Sequence, residues 1–226
     1  MSELLSIAER VLGWANDDEE LEVVAVHDRE TEIRVYEGNI ESFTASEAQG
    51  VGVRVIKDHK QGFAWAGTLD EDVLAETLAD ARDNAVFGTP DENLGVARPD
   101  GVAVPELELF EPAVGDTSTE DKIALAVDLE ARTRAADPRI HGIESSDYVD
   151  STHEAALVNS AGVSVTSRDS GSYVSIFALA EENGETQVGF GFSVERDPAA
   201  LDIDAAATDA ADRATRLLGA VPVSYT

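Results

Sequence analysis

The chain has 226 residues, 43% of them hydrophobic, and no cysteine, which supplies a sizeable core and excludes disulfides and thiolate metal sites. Its 46 acidic and 16 basic residues give a formal net charge of −30, which opposes binding to nucleic acid or to an anionic membrane surface. No apolar run approaches the roughly 20 residues that span a bilayer, and the N-terminus lacks a basic n-region, so a cytoplasmic location is expected.

Leu4, Leu5, Ala8, Val11, Leu12 and Ala15 form one helical stripe, with Ser2 as N-cap. Residues 21–26 are β-branched-rich and apolar on both faces, which predicts a buried strand. Ile33 and Val35 alternate with Arg34 and Tyr36 in a second strand. A turn at Glu37-Gly38-Asn39 leads to a third strand at 40–44. Residues 50–55 alternate strictly, and Gly50 and Gly52 leave room for a close helix or backbone approach. A polar loop at 57–61 precedes a strand at 62–66. Thr68-Leu69-Asp70-Glu71 has capping-box spacing, and Val73, Leu74, Thr77, Leu78, Ala81 and Ala85 line one face of the helix it opens. Gly88-Thr89-Pro90 stops that helix.

Residues 89–117 hold four of the seven prolines and read as a connector, pinned by Leu107, Leu109 and Phe110. Ser118-Thr119-Glu120-Asp121 is a second capping box. Its helix carries Ile123, Ala126, Val127 and Ala131 and ends near Asp137-Pro138. Strands follow at 143–149, 154–158, 163–167, 173–180 and 186–194, with Asn183-Gly184 as a two-residue hairpin turn. In the last strand Val188, Phe190, Phe192 and Val194 make one face heavy, while Gly189, Gly191 and Ser193 leave the other nearly bare. Asp197 caps a final helix with Pro198 at its first position, running to Leu218 and stopped by Gly219.

The fold class is therefore α+β, two helix–antiparallel meander–helix units forming a pseudo-duplicated scaffold. The expected boundaries are 1–88 for the first unit, 89–117 for the connector and 118–219 for the second unit. Residues 220–226 read as the first strand of a missing C-terminal domain.

No catalytic centre emerges. His27, His59 and His141 lack metal-like companions at helical spacing. His153-Glu154 begins like a zinc-binding H-E-x-x-H, but the second histidine is absent and the segment reads as strand. There is no G-x-S-x-G elbow and no phosphate loop. Gly189-Phe190-Gly191 lies within a strand, so the paired glycines are read as packing features and not as ligand cradles. Acidic clusters such as 17–20 are read as solvated faces. Open sheet edges are the remaining functional surface, for an extended peptide or a partner chain. Only Lys57, Lys60 and Lys122 are lysines. Scarce lysine with abundant carboxylate points to a halophile's cytosol, where salt screens self-repulsion.

The residues 37–43, then 50–55 and 62–64, together with Leu107-x-Leu109-Phe110-x-Pro112, resemble the N-terminal region of TldD/PmbA proteins. Asp137-x-Arg139-Ile140, Val158-Asn159-Ser160-x-Gly162 and 180–184 are similar to the PmbA, or TldE, branch, so the resemblance spans nearly the whole chain. It implies a heterodimeric TldD/TldE metalloprotease that processes or degrades peptides, also labelled "modulator of DNA gyrase". It further implies that zinc is held by an H-E-x-x-x-H motif and a cysteine in a TldD-type partner. TldE-type subunits lack those ligands, and none can be placed here, so no cofactor is expected in this chain and the 226 residues alone are expected to be inactive. The implied partners are a TldD-like subunit or a second copy, with a peptide substrate. Peptide or interface candidates are Gly38, Asn39, Glu41, Gly50, Gly52, Arg54, Asn159, Gly162 and Arg168. A non-enzymatic, regulatory interaction module remains the alternative.

Overall fold

The computed structural model describes residues 3–103, 105, 107–221 and 223. In chain order they form α1 (Glu3–Leu12), β1 (Glu20–Tyr36), β2 (Asn39–Lys57), β3 (Lys60–Ala66), α2 (Glu71–Phe87), α3 (Ala113–Asp116) and α4 (Thr119–Ala136). There follow β4 (Ile140–Asn159), β5 (Ser164–Glu182), β6 (Glu185–Glu195), a 3-10 turn at Pro198–Ala200, and α5 (Ile203–Thr215). The strands make one antiparallel sheet in the order β3-β2-β1-β4-β5-β6. The α+β class and the repeated helix–meander–helix order are both observed. α1-β1-β2-β3-α2 is followed by α4-β4-β5-β6-α5, and the first strands of the two meanders are neighbours.

Three tight turns set the registers. Glu37-Gly38, Asp58-His59 and Asn183-Gly184 all have positive φ at both positions (52° and 71°, 50° and 59°, 53° and 80°). That conformation matches the right-handed twist of paired strands. The loop expected at 57–61 tightens accordingly, since Lys57 pairs with Lys60.

The strands are fewer and longer than expected. The predicted strands at 21–26 and 33–36 are one strand of 17 residues, and those at 40–44 and 50–55 are one strand of 19. β4 and β5, of 20 and 19 residues, each likewise absorb two predicted strands. The stretch between Val26 and Ile33, which separates the two predicted strands, is polar. It contains no Gly or Pro, so nothing interrupts the ladder there, and the chain runs on through half-buried and exposed positions.

These long strands also change the division of the chain. One compact unit comprises 1–29, 47–108 and 153–169, and the other comprises 30–46, 109–152 and 170–226. β1, β2, β4 and β5 contribute residues to both. Each unit has its own core. The first is built from Leu21, Val23, Val51, Val53, Val55, Leu74 and Leu78 with α1. The second is built from Ile33, Val35, Leu129, Tyr148, Ile176 and the alanines of α5.

Two caps differ from expectation. Asp70, not Thr68, is the N-cap of α2, accepting from the Asp72 N–H at 3.0 Å. Asp197 caps only the 3-10 turn, while Asp202 caps α5, accepting from the Ala205 N–H at 2.8 Å. A second carboxylate at 202 thus restarts the helix. Ser118 caps α4 as expected. On α4 the predicted apolar stripe is displaced: Ala131 is exposed, whereas Lys122, Leu129, Glu130 and Thr133 are buried with Ala126. Leu107 does not pin the connector, being 65% exposed, while Val96 is buried. Ser2 and the terminal residues Pro222, Ser224, Tyr225 and Thr226 lie outside the described residues.

Candidate functional site

In the first unit the sequence candidates have structural partners. The Arg54 guanidinium donates twice to Glu22 Oε1, at 3.1 and 2.9 Å. Gly50 and Gly52 admit close backbone and rings, not a helix: a Cβ on Gly50 would sit 2.4 Å from the Ala66 carbonyl oxygen and 2.5 Å from the Trp65 ring, and one on Gly52 would sit 3.2 Å from the Phe63 ring. Buried Asn159 organises the β4–β5 turn. Its Oδ1 accepts from the N–H groups of Ala161 and Val163, both at 3.0 Å, and its Nδ2 donates to the Ala97 carbonyl at 2.8 Å. Gly162 supplies that turn with φ of 97°. Arg168 lines a cleft of about 160 Å³ with Leu4, Glu154, Ala155, Thr166 and Ser167.

Two further features of this unit are polar. Glu19, with a side chain only 1% exposed, takes Arg82 at 2.6 Å, while Arg82 also donates to the Trp14 carbonyl at 2.7 Å. Burial pushes the Glu19 carboxyl up, but the Arg82 guanidinium and the Asn16 N–H outweigh it and hold the group below the usual carboxylate range. This pair borders a cleft of about 370 Å³ with Lys57, Lys60, Asp58 and Asp83. The histidines pair off across strands: His27 Nε2 meets Glu47 at 2.7 Å, and His153 Nδ1 meets Asp28.

In the second unit the β1–β2 turn is anchored from below. Buried Glu130 of α4 accepts the N–H groups of Glu37 at 3.1 Å and Gly38 at 2.8 Å, and takes the Arg134 guanidinium at 2.8 Å. Asn39 donates to the Glu37 carbonyl at 2.8 Å. Glu41 is exposed on β2. Lys122 and Asp150 form a buried pair at 2.6 Å, completed by the Tyr148 hydroxyl donating at 2.7 Å. Burial, reinforced by the Asp150 carboxylate, pushes the Tyr148 hydroxyl well above its ordinary value. These contacts occupy their groups structurally, and Tyr148 is 0% exposed.

The heavy and bare faces of β6 are disposed contrary to the simple inside-outside rule. The bare face packs on α5: a Cβ on Gly189 or Gly191 would lie 2.0 Å from the Ala210 or Ala206 carbonyl oxygen. The heavy face stays open. Tyr173, Ser175, Phe177 and Leu179 of β5 pair with Val194, Phe192, Phe190 and Val188 of β6. Their rings lean on one another, with centroids 4.7 Å apart for Phe177–Phe190, 5.6 Å for Phe190–Phe192 and 6.2 Å for Tyr173–Phe192. Phe192 is 49% exposed and Val194 58%. A cleft of about 380 Å³ adjoins this ridge, lined by Glu32, Arg34, Ser42, Asp147, Tyr173 and Ser175. Arg34 donates to Asp147 at 2.7 Å, and that carboxylate raises the guanidinium's pKa. The sequence candidates include none of the ridge residues. The alternation in β6 was the available signal, but it does not say which face a helix covers.

Among the described residues no three His, Cys, Asp or Glu side chains converge as a metal-ligand set, and no helix is long and apolar enough to cross a membrane. Comparison with known proteins matches residues 21–85 to the PmbA/TldA metallopeptidase domain 1 and residues 112–218 to the PmbA/TldA metallopeptidase central domain. The chain is 27% identical over 161 residues to the metalloprotease PmbA of Escherichia coli O157:H7, covering 70% of this chain and 35% of that protein. Its fold is similar to that of a modulator of DNA gyrase from Thermotoga maritima (TM-score 0.83, 20% identity, 97% of this chain and 49% of that one). It is also similar to that of TldE from Thermococcus kodakarensis (TM-score 0.77, 20% identity, 92% and 46%). The chain thus spans between about a third and a half of the length of these relatives.

Proposed function

Because the chain belongs to the PmbA/TldD metallopeptidase family, we propose that it is the N-terminal scaffold of a PmbA/TldE-like subunit in a cytoplasmic peptidase assembly. Its role is to shape a peptide channel and a subunit interface, with a TldD-like subunit or a second copy as partner and a peptide as substrate. The observation that carries this reading is the ordered pair of family domains over a fold whose described residues bring no metal ligands together. Among the described residues no ligand set fits the metal that a metallopeptidase holds. Hydrolysis is therefore assigned to zinc in the TldD-like partner, and this chain supplies rigid strands and open sheet edges.

The test is reconstitution with a TldD-like protein. This chain alone is expected to bind no stoichiometric zinc and to cleave no casein-derived peptide, and to co-elute with the partner on size exclusion. Zinc binding at one equivalent with cleavage by the chain alone would overturn the reading. The −30 charge further supports a salt-rich cytosol as the setting. A melting midpoint that fails to rise between 0.1 M and molar KCl would remove that part.

A further inference from the structure

The open face of β5 and β6 pairs two properties that select one kind of ligand. The ridge is apolar and raised, its rings packed on each other and its outer side chains left in water. Contiguous exposed apolar surface of this kind marks interaction sites in proteins that otherwise keep it small. The adjoining cleft carries the carboxylates of Glu32 and Asp147 against one guanidinium, Arg34, which Asp147 already engages at 2.7 Å. Near the β5–β6 turn the ridge face adds Glu181, which pairs in register with Thr186 and lies 3.8 Å from His141.

We propose that this ridge and cleft dock a protein segment presenting aliphatic or aromatic side chains together with lysine or arginine. The apolar side chains lie along Phe177, Phe190 and Phe192. A basic side chain enters the cleft, where the exposed Glu32 carboxylate and the Tyr173 ring are both offered to a cation. A second copy of this chain is a poor occupant, because it brings a further −30 and the same carboxylates to the face. The surface stands on the second unit alone and does not rest on the peptide channel proposed above.

Fluorescence anisotropy of the intact chain tests this, in a KCl concentration at which circular dichroism shows it folded. The probes are a labelled nonapeptide of alternating leucine and lysine and its leucine–glutamate counterpart. The lysine peptide is expected to bind at least tenfold more tightly. Phe177→Ser with Phe192→Ser is expected to weaken it at least tenfold. Glu32→Lys, an exposed change that leaves the ridge intact, is expected to weaken it severalfold even if the double variant folds poorly. Equal binding of the two peptides, no binding of either, or no loss with Glu32→Lys would overturn the proposal. So would a dimer of the unmodified chain, seen by sedimentation velocity, that Phe192→Ser dissolves, since that would make a second copy the occupant.

Discussion

The two third strands meet their helices in the same way and arrange their exposed rings differently. In the first unit Gly62 of β3 lies so close to α2 that a Cβ would be 2.0 Å from the Ala81 oxygen and 2.3 Å from the Ala85 nitrogen. In the second, Gly189 of β6 repeats this against α5, 2.0 Å from the Ala210 oxygen and 2.4 Å from the Ala214 nitrogen. Glycine facing an alanine pair spaced i, i+4 is thus the shared packing solution, and it supports reading the scaffold as a duplication. On the opposite face the units part. Trp65 and Phe63 lie against Gly50 and Gly52 while staying 53% and 58% exposed, whereas Phe177, Phe190 and Phe192 pack on one another's rings and form a ridge. A shared helix contact with a divergent open face separates what holds the fold together from what is free to bind.

The largest effects should come from the shared contact. Gly62→Val and Gly189→Val each force a helix off its strand and are expected to cost about 3 kcal/mol or more. At this chain length that lowers the melting midpoint by roughly 6–12 °C. If one were tolerated and the other not, the equivalence would fail. Next in size is Glu130→Ala, which leaves the N–H groups of Glu37 and Gly38 and the Arg134 guanidinium without their buried acceptor, at about 2–3 kcal/mol by chemical denaturation. Trp65→Ser should cost about 1–2 kcal/mol, because it uncovers the β2 glycines as well as losing its own contacts. Phe192→Ser, removing a ring as exposed as Trp65 but lying against no glycine of the sheet, should cost less, below about 0.5 kcal/mol.

Acid should act on both units with the same sign. Glu19 in the first is held below the usual carboxylate range, burial being outweighed by Arg82, and Asp137 in the second is held at about 2 by Arg139. A depressed folded pKa contributes stability that is present above the unfolded value and lost as pH falls through the folded one. Both pairs therefore support the fold at neutral pH and weaken progressively below about pH 4, near the ordinary carboxylate pKa. Asp137→Asn and Glu19→Gln should each flatten part of that slope in pH-dependent urea titrations. The effect at Asp137 should be the smaller, because its pair with Arg139 lies at the surface and is screened by solvent.

Much of the architecture was legible because it rests on local rules. Helix ends announced themselves through Ser118 and Gly88, and Asn183-Gly184 could hardly be anything but a turn. The strand breaks were not legible because polarity alone does not interrupt a strand, and residues 27–32 carry no Gly or Pro that would end one. The α4 stripe was misplaced because Lys122 and Glu130 are buried only by virtue of distant partners, Asp150 and the N–H groups of residues 37 and 38. A buried, paired charge looks like a surface charge in one dimension. The ridge was hidden for the converse reason: alternating Val and Phe reads as a core face, and only the α5 contact through Gly189 and Gly191 shows that the glycine face is the covered one.

Trp65→Ser and Phe192→Ser, compared side by side for melting midpoint and for affinity toward the leucine–lysine peptide, test the separation of holding from binding most directly. The expected result is a crossed pattern. Trp65→Ser lowers the midpoint by several degrees and leaves affinity unchanged, while Phe192→Ser leaves the midpoint unchanged and lowers affinity severalfold. Equal losses of midpoint with unchanged affinity in both variants would contradict it and make the ridge a second structural cover.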